Sequence, residues 1–163
     1  MTTRVYLPST LGRLRSFVAD GGIGPAPLPA HAVTEEVRRG LADAGEEEWE
    51  YAASSAASLA SVGLLDRDEP ARRVVIAVDV PKEPRAGDPE DPTAVRVDEV
   101  VPLRRVAAVL ADTADAEATV AAAREALAGD SDDADLLLER CLDHELGWWA
   151  TQEIGDLLGT ARP

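Results

Sequence analysis

Alternating apolar residues mark the clearest element of the chain, a run that begins at Arg73 and ends at Val80. One set of alternate positions holds Val74, Ile76, Val78 and Val80, and the other set holds Val75 and Ala77. Successive side chains of a strand point to opposite faces of a sheet. Because both sets are apolar, the pattern predicts a central strand that other elements cover on both faces.

Weaker patterns predict the remaining elements. Alternation and short apolar runs predict strands at about residues 3–7, 94–101 and 105–111, with a brief extended piece at 30–33. Apolar stripes at helical spacing predict helices at about residues 10–20, 34–44, 46–65, 116–127 and 131–159. This order predicts an α/β (α+β) layered sandwich with a mixed, partly antiparallel sheet of about four to five strands and about five helices. The length predicts one globular domain over residues 1–163.

Residues 81–92 interrupt the pattern of apolar positions. This segment holds four prolines, Gly87 and several charged side chains, and it has no apolar anchor. Such a composition is typical of exposed connections. It predicts a flexible Pro-rich loop within the domain.

The predicted C-terminal helix brings together the main candidate site. At 100° per residue, one apolar face collects Ala134, Leu137, Leu138, Cys141, Leu142, Trp148 and Trp149. Glu145 and Gln152 fall in the middle of this face, where a carboxylate is costly unless it is paired, hydrogen-bonded or protonated. One interpretation, the preferred one, is a structural anchor that a buried Arg or a backbone N–H holds. The other is a ligand pocket between the two indoles.

The other four residues of the candidate pocket are His144, Trp148, Trp149 and Tyr6. His144 lies at the edge of the predicted apolar face, where a half-exposed boundary residue is expected. Trp148 and Trp149 are favoured as core residues over a stacking platform. Tyr6 and Gln152 are the hydrogen-bonding groups that would assist Glu145 in a small-molecule binder or a metal-independent enzyme.

Motifs for specific chemistry are missing from the sequence. There is no G-x-G-x-x-G, P-loop or G-x-S-x-G motif. His144-Glu145 begins an H-E-x-x-H pattern, but Trp148 stands where the second histidine is needed. The single Cys141 excludes an intramolecular disulfide. The sequence therefore predicts no metal site and no cofactor.

Charge decides which partners are expected. The chain has 31 acidic and 16 basic residues, a net charge of -15. So large an acid excess disfavours nucleic acids and anionic membrane surfaces. It favours a basic protein partner, which the acidic surface would steer. With no apolar run long enough for a membrane span or a signal peptide, a cytoplasmic protein is expected.

Small residues along the predicted helix at 46–65 raise the question of a homodimer. Their stripe consists of Ala52, Ala53, Ala56, Ala60 and Gly63 behind the indole of Trp49, with Ser54, Ser55, Ser58 and Ser61 on the far side. Packing against the protein's own sheet is favoured over a homodimer seam. The preferred function is therefore a non-enzymatic acidic cytosolic interaction or regulatory domain, with the Glu145/Gln152 pocket as the alternative.

Several short segments carry a resemblance to known sequences. They are Val5-Tyr6-Leu7-Pro8, Glu50-Tyr51-Ala52-Ala53, Arg72-Arg73-Val74-Val75, Val101-Pro102-Leu103 and the run from His144 to Glu153. Together they resemble a family of short uncharacterised actinobacterial proteins over nearly the whole chain. The resemblance implies a bacterial cytosolic single-domain protein, and it implies no activity and no catalytic residue.

Overall fold

The strand that the alternating valines predict lies inside a seven-stranded sheet. The computed structural model describes residues 1–160. Its strands are β1 (Thr3–Ser9), β2 (Gly22–Ile23), β3 (Leu28–Ala32), β4 (Val74–Val80), β5 (Arg85–Ala86), β6 (Ala94–Val97), β7 (Val101–Pro102), β8 (Val106–Ala111) and β9 (Gly147–Trp149). Its helices are α1 (Leu11–Asp20), α2 (Glu35–Gly40), α3 (Glu46–Val62), α4 (Glu117–Ala128), α5 (Ala134–Cys141) and α6 (Ile154–Thr160).

All neighbouring strands are antiparallel. The large sheet has the order β5-β6-β3-β1-β4-β8-β9, and β2 pairs with β7 in a separate two-stranded sheet. The prediction of a layered α/β protein is confirmed. Its details were wrong, because residues 1–160 contain seven strands in the main sheet and six α-helices. The two-residue β5 and three-residue β9 are too short to show an alternating pattern.

Strand β4 is covered on both faces, as predicted. Val74, Ile76 and Val78 belong to an apolar cluster that also holds residues of α1 and α6. On the opposite face, Val75 and Ala77 pack against α3. The sheet is thus the middle of three layers.

The predicted C-terminal helix at 131–159 was wrong. Helix α5 ends at Cys141, and residues 147–149 form β9, which pairs with β8 before α6 begins. Gly147 is a poor helix former, while the following two tryptophans are typical of strands. The side chain of Arg73 also takes the His144 carbonyl as an acceptor, at 2.8 Å. Pairing with the free edge of β8 therefore outweighs the helical periodicity.

The Pro-rich segment at 81–92 is partly built into the sheet. Its residues Arg85 and Ala86 form β5, which pairs with β6. Arg85 makes an ion pair with Asp98. The flexibility of the segment and the single-domain organisation stay predictions. Within residues 1–160, no helix is both long and apolar enough to cross a membrane.

Candidate functional site

The six residues of the predicted pocket do not come together. Glu145, in the connection from α5 to β9, and Gln152, in the 3-10 turn Thr151–Glu153, are both exposed, so neither is the buried polar group that the helical face implied. Trp148 and Trp149 point to opposite faces of β9. Trp148 is 64% exposed, which corrects its assignment to the core, whereas Trp149 packs against the main apolar cluster.

His144 and Glu145 instead line a cleft between α3 and the connection from α5 to β9. We call this cavity, of about 370 Å³, the acidic cleft. Its lining residues are Tyr51, Ser54, Ser55, Ser58, Arg73, Leu110, Leu142, Asp143, His144, Glu145 and Leu146. Trp148 is the cross-strand neighbour of Leu110. The exposed indole therefore lies on the same face of the sheet, next to the cleft.

A buried ion pair underlies the acidic cleft. The guanidinium of Arg73 donates from Nε to Oδ2 and from Nη2 to Oδ1 of Asp112, both at 2.8 Å. The backbone N–H of Arg73 donates to the same carboxylate at 2.7 Å. Only 1% of Arg73 and 2% of Asp112 is exposed. This two-point geometry neutralises Arg73, the one cation that the described part of the chain, residues 1–160, contributes to the lining.

Glu145 is exposed, and among residues 1–160 neither of its expected anchors, a buried Arg or a backbone N–H, holds it. A buried Arg was expected to hold Glu145, but the partner of Arg73 is Asp112. Asp112 directly follows β8, and the helical segment after it begins with a 3-10 turn at Ala114–Ala116, whose N-cap is Thr113. Two features of the sequence could have indicated this pair. Arg73 directly precedes the buried strand β4, and Asp112 directly follows β8, the strand beside it in the sheet.

Serines of α3 fix that helix to the sheet. Ser61 donates from Oγ to the Ser9 carbonyl at 2.7 Å and accepts from the Val74 N–H at 3.0 Å. Ser58 is also buried, and its Oγ donates to the Ser55 carbonyl at 2.7 Å. The assignment of both serines to the far side of the helix was wrong. Hydroxyls can stand in this interface because each one finds a partner.

Residues 3–158 match the model of a family of unknown function, DUF6912. The chain belongs to the DUF6912 family. No curated protein and no solved structure matches the chain. The match confirms the resemblance to an uncharacterised family and assigns no activity to it. The actinobacterial origin stays an expectation.

The rim of the acidic cleft combines carboxylates with aromatic rings in this DUF6912 member. Asp143 and Glu145 are exposed at one side, and Tyr51, 62% exposed, stands at the other. His144 is half-buried, as expected for a boundary residue, and its Nε2 lies 3.1 Å from Thr119 Oγ1. With Arg73 already paired, the cleft presents a net negative charge to solvent.

Tyr6 lies away from the acidic cleft. It is 7% exposed and packs with Ala53 and Ala57 of α3. Burial raises the pKa of its phenol, and the negative charge of Glu50 adds to that rise. Tyr6 therefore belongs to the core between β1 and α3 and cannot assist Glu145.

Cys141 has the surroundings expected of a core residue. Its side chain is fully buried, and its Sγ lies 3.4 Å from the Leu137 carbonyl. Burial raises the pKa of the thiol, which keeps it protonated. Among residues 1–160, no three His, Cys, Asp or Glu side chains are grouped so that they could hold a metal ion.

Proposed function

We propose that the protein is a non-enzymatic cytosolic interaction domain that binds a cationic segment of a partner protein at the acidic cleft. One observation carries the proposal: within residues 1–160, the only cation that lines the cleft is paired internally, whereas the exposed groups of the cleft are two carboxylates and an aromatic ring. A lysine or arginine side chain complements this set of groups. The net charge of -15 adds long-range attraction for such a partner.

Aromatic rings and carboxylates together favour a cation over an uncharged ligand. Tyr51 and Trp148 offer exposed ring faces, over which a guanidinium or ammonium group gains about 0.5–2 kcal/mol. Asp143 and Glu145 can accept charge-assisted hydrogen bonds from the same group. Tyrosine and tryptophan are also enriched among the residues that dominate binding energies at protein interfaces.

The polar groups of the cleft do not support nucleophilic catalysis. Ser54 donates from Oγ to the Tyr51 carbonyl at 3.2 Å, and Ser58 donates likewise to Ser55. The His144 imidazole is engaged with Thr119 and not with a serine. A serine nucleophile needs a base within hydrogen-bonding distance. These hydroxyls serve the helix, which favours binding as the role of the cleft.

A fluorescent oligoarginine peptide provides the test, with a citrulline peptide of the same length as the uncharged control. We expect the arginine peptide to bind and the citrulline peptide to bind at least about tenfold more weakly. The double substitution Asp143→Asn/Glu145→Gln should weaken binding by about tenfold. Both side chains are exposed, so the free energy of unfolding should change by less than about 0.5 kcal/mol.

A matched variant separates the cleft from overall charge. Asp130→Asn/Asp132→Asn removes the same number of charges from exposed positions between α4 and α5, outside the cleft. We expect its affinity for the arginine peptide to fall by less than about twofold, through screened long-range attraction only. Equal losses in the two double variants would contradict a specific site and indicate non-specific attraction to an acidic surface.

A further inference from the structure

A second cavity, of about 280 Å³, lies between α1, the start of β3 and the end of α3. Its walls are mainly apolar and include Leu7, Phe17, Ile23, Leu28 and Leu64. Of residues 1–160, the two ionisable side chains that line it are His31 and Arg13. We call it the His31 pocket. It shares no lining residue with the acidic cleft.

Hydrogen bonds behind His31 determine which ring nitrogen carries the proton. Thr93 Oγ1 donates its only proton to Asp91 Oδ1, at 2.7 Å, because an ionised carboxylate can only accept. The same hydroxyl oxygen lies 2.8 Å from His31 Nδ1 and must accept there. Nδ1 therefore carries the proton in the neutral imidazole, and Nε2 is left with a free lone pair.

The second nitrogen of His31 has no partner within residues 1–160. His31 is 9% exposed, and its one hydrogen bond is the one from Nδ1. Burial lowers the pKa of the imidazole, although Asp91 opposes this shift, so the neutral form predominates at neutral pH. An acceptor without a protein partner, on a residue that lines a mainly apolar cavity, can orient a ligand there.

Arg13 supplies a cation at the edge of the same pocket. It is an exposed residue of the first turn of α1, and its side chain makes no ion pair or hydrogen bond within residues 1–160. In the acidic cleft, by contrast, the arginine is fully paired. The guanidinium of Arg13 is thus available to an anionic group that enters the pocket.

We propose that the His31 pocket is a binding site for small aromatic hydroxy acids. The ring packs against the apolar walls, the hydroxyl donates to His31 Nε2, and the carboxylate pairs with Arg13. A cavity of about 150 Å³ accommodates benzene, so this pocket has room for one substituted ring. The site is independent of the acidic cleft and takes a ligand of opposite charge.

Isothermal titration calorimetry with three probes tests the proposal, namely 4-hydroxybenzoate, benzoate and phenol. Benzoate lacks the donor for His31, and phenol lacks the anion for Arg13. We expect 4-hydroxybenzoate to bind about tenfold more tightly than benzoate or phenol. Benzoate cannot make the hydrogen bond to His31, and phenol cannot make the ion pair with Arg13. Failure of 4-hydroxybenzoate to bind, or equal affinities for all three probes, would overturn the proposal.

Four variants test which side chain provides each interaction with the probes. In the variant His31→Asn, the side-chain amide can still donate to Thr93, but no acceptor remains at the position of Nε2. This variant should therefore abolish the preference for 4-hydroxybenzoate over benzoate. Arg13→Gln should abolish the preference for 4-hydroxybenzoate over phenol. Ala60→Leu places a larger side chain in the cavity and should weaken all three probes. The control Arg39→Gln, at an exposed position of α2 outside the pocket, should change nothing.

A spectroscopic measurement checks the imidazole without relying on ligand affinity. The 15N chemical shifts of His31 should report a protonated Nδ1 and an unprotonated Nε2 in the free protein. Addition of 4-hydroxybenzoate should move the Nε2 resonance, and addition of the oligoarginine peptide should leave it in place. A protonated Nε2 in the free protein would contradict the proposal even if some probe binds.

Discussion

In the acidic cleft, the buried guanidinium of Arg73 is bound on two sides by Asp112 and also donates to the His144 carbonyl. In the His31 pocket, the buried imidazole is bound at Nδ1 alone, and its other nitrogen has no partner in residues 1–160. Asp112 and the His144 carbonyl enclose the guanidinium, whereas His31 Nε2 is not among the buried polar atoms that lack a partner, so it is open to solvent or to a ligand. The difference indicates that Arg73 serves the fold, whereas His31 is arranged for a ligand.

The largest expected effect concerns the ion pair below the acidic cleft. Asp112→Asn leaves the charge of Arg73 buried without a counter-ion, and we expect a loss of about 3–5 kcal/mol in the free energy of unfolding. Denaturant titration of the variant and the parent at the same pH gives this value directly.

An exposed pair of the same chemistry is the control. Arg4 and Asp79 lie 2.6 Å apart, with 43% and 37% of their side chains exposed. We expect Asp79→Asn to cost less than about 1 kcal/mol, because water screens the pair. Similar losses for Asp112→Asn and Asp79→Asn would mean that solvent reaches Arg73, which would remove the contrast between the two cavities.

A smaller effect distinguishes the two adjacent tryptophans of β9. Trp149 packs against the main core and is half-buried, so we expect Trp149→Ala to cost about 2 kcal/mol, less than for a fully buried ring. Trp148→Ala should change the free energy of unfolding by less than about 0.5 kcal/mol. It should nevertheless weaken binding of the arginine peptide. A large loss of stability in Trp148→Ala would contradict its assignment to the rim of the cleft.

These tryptophans also show where sequence reasoning reached its limit. The alternation at 73–80 predicted β4 and its two covered faces, because many apolar residues repeat with one period. Thr10 and Thr34 precede helices and accept the backbone N–H groups of Arg13 and Val37, which is the local capping role that threonine commonly has. At 134–156 the helical period was equally regular, yet β8 offered an unpaired edge that the sequence around Trp148 could not reveal.

The polar contacts were harder to predict because their partners are distant in sequence. Arg73 and Asp112 are separated by 39 positions, and His31 and Thr93 by 62. The Thr93 hydroxyl that contacts His31 lies directly before β6, the strand that pairs with β3. Which side chain stands there depends on how β3 and β6 pair, and that pairing has no local signal.

Limited proteolysis tests the segment that supports the His31 pocket from behind. Asp91 belongs to the Pro-rich segment 81–92, and we expect trypsin to cleave the folded protein first within it, at Lys82 or Arg85. Asp98→Asn removes the ion-pair partner of Arg85 and should accelerate this cleavage severalfold. Initial cleavage at Arg67 or Arg124 would contradict the prediction that the segment is flexible.

The smallest effect is a dependence of stability on pH that arises from His31. Its pKa is lowered from 6.5 in the folded protein, chiefly by burial, with Asp91 acting in the opposite direction. Above about pH 6.5 the imidazole is neutral in both states and its contribution to stability is fully present. As the pH falls below this value, the unfolded chain takes up the proton more readily, so the free energy of unfolding decreases until the folded pKa is passed. Unfolding titrations between about pH 7.5 and 5.5 should therefore give a steeper decline for the parent than for His31→Asn. Equal slopes would mean that His31 is as well solvated in the folded protein as in the unfolded chain. The contrast between His31 and Arg73, from which the roles of the two cavities are assigned, would then be wrong.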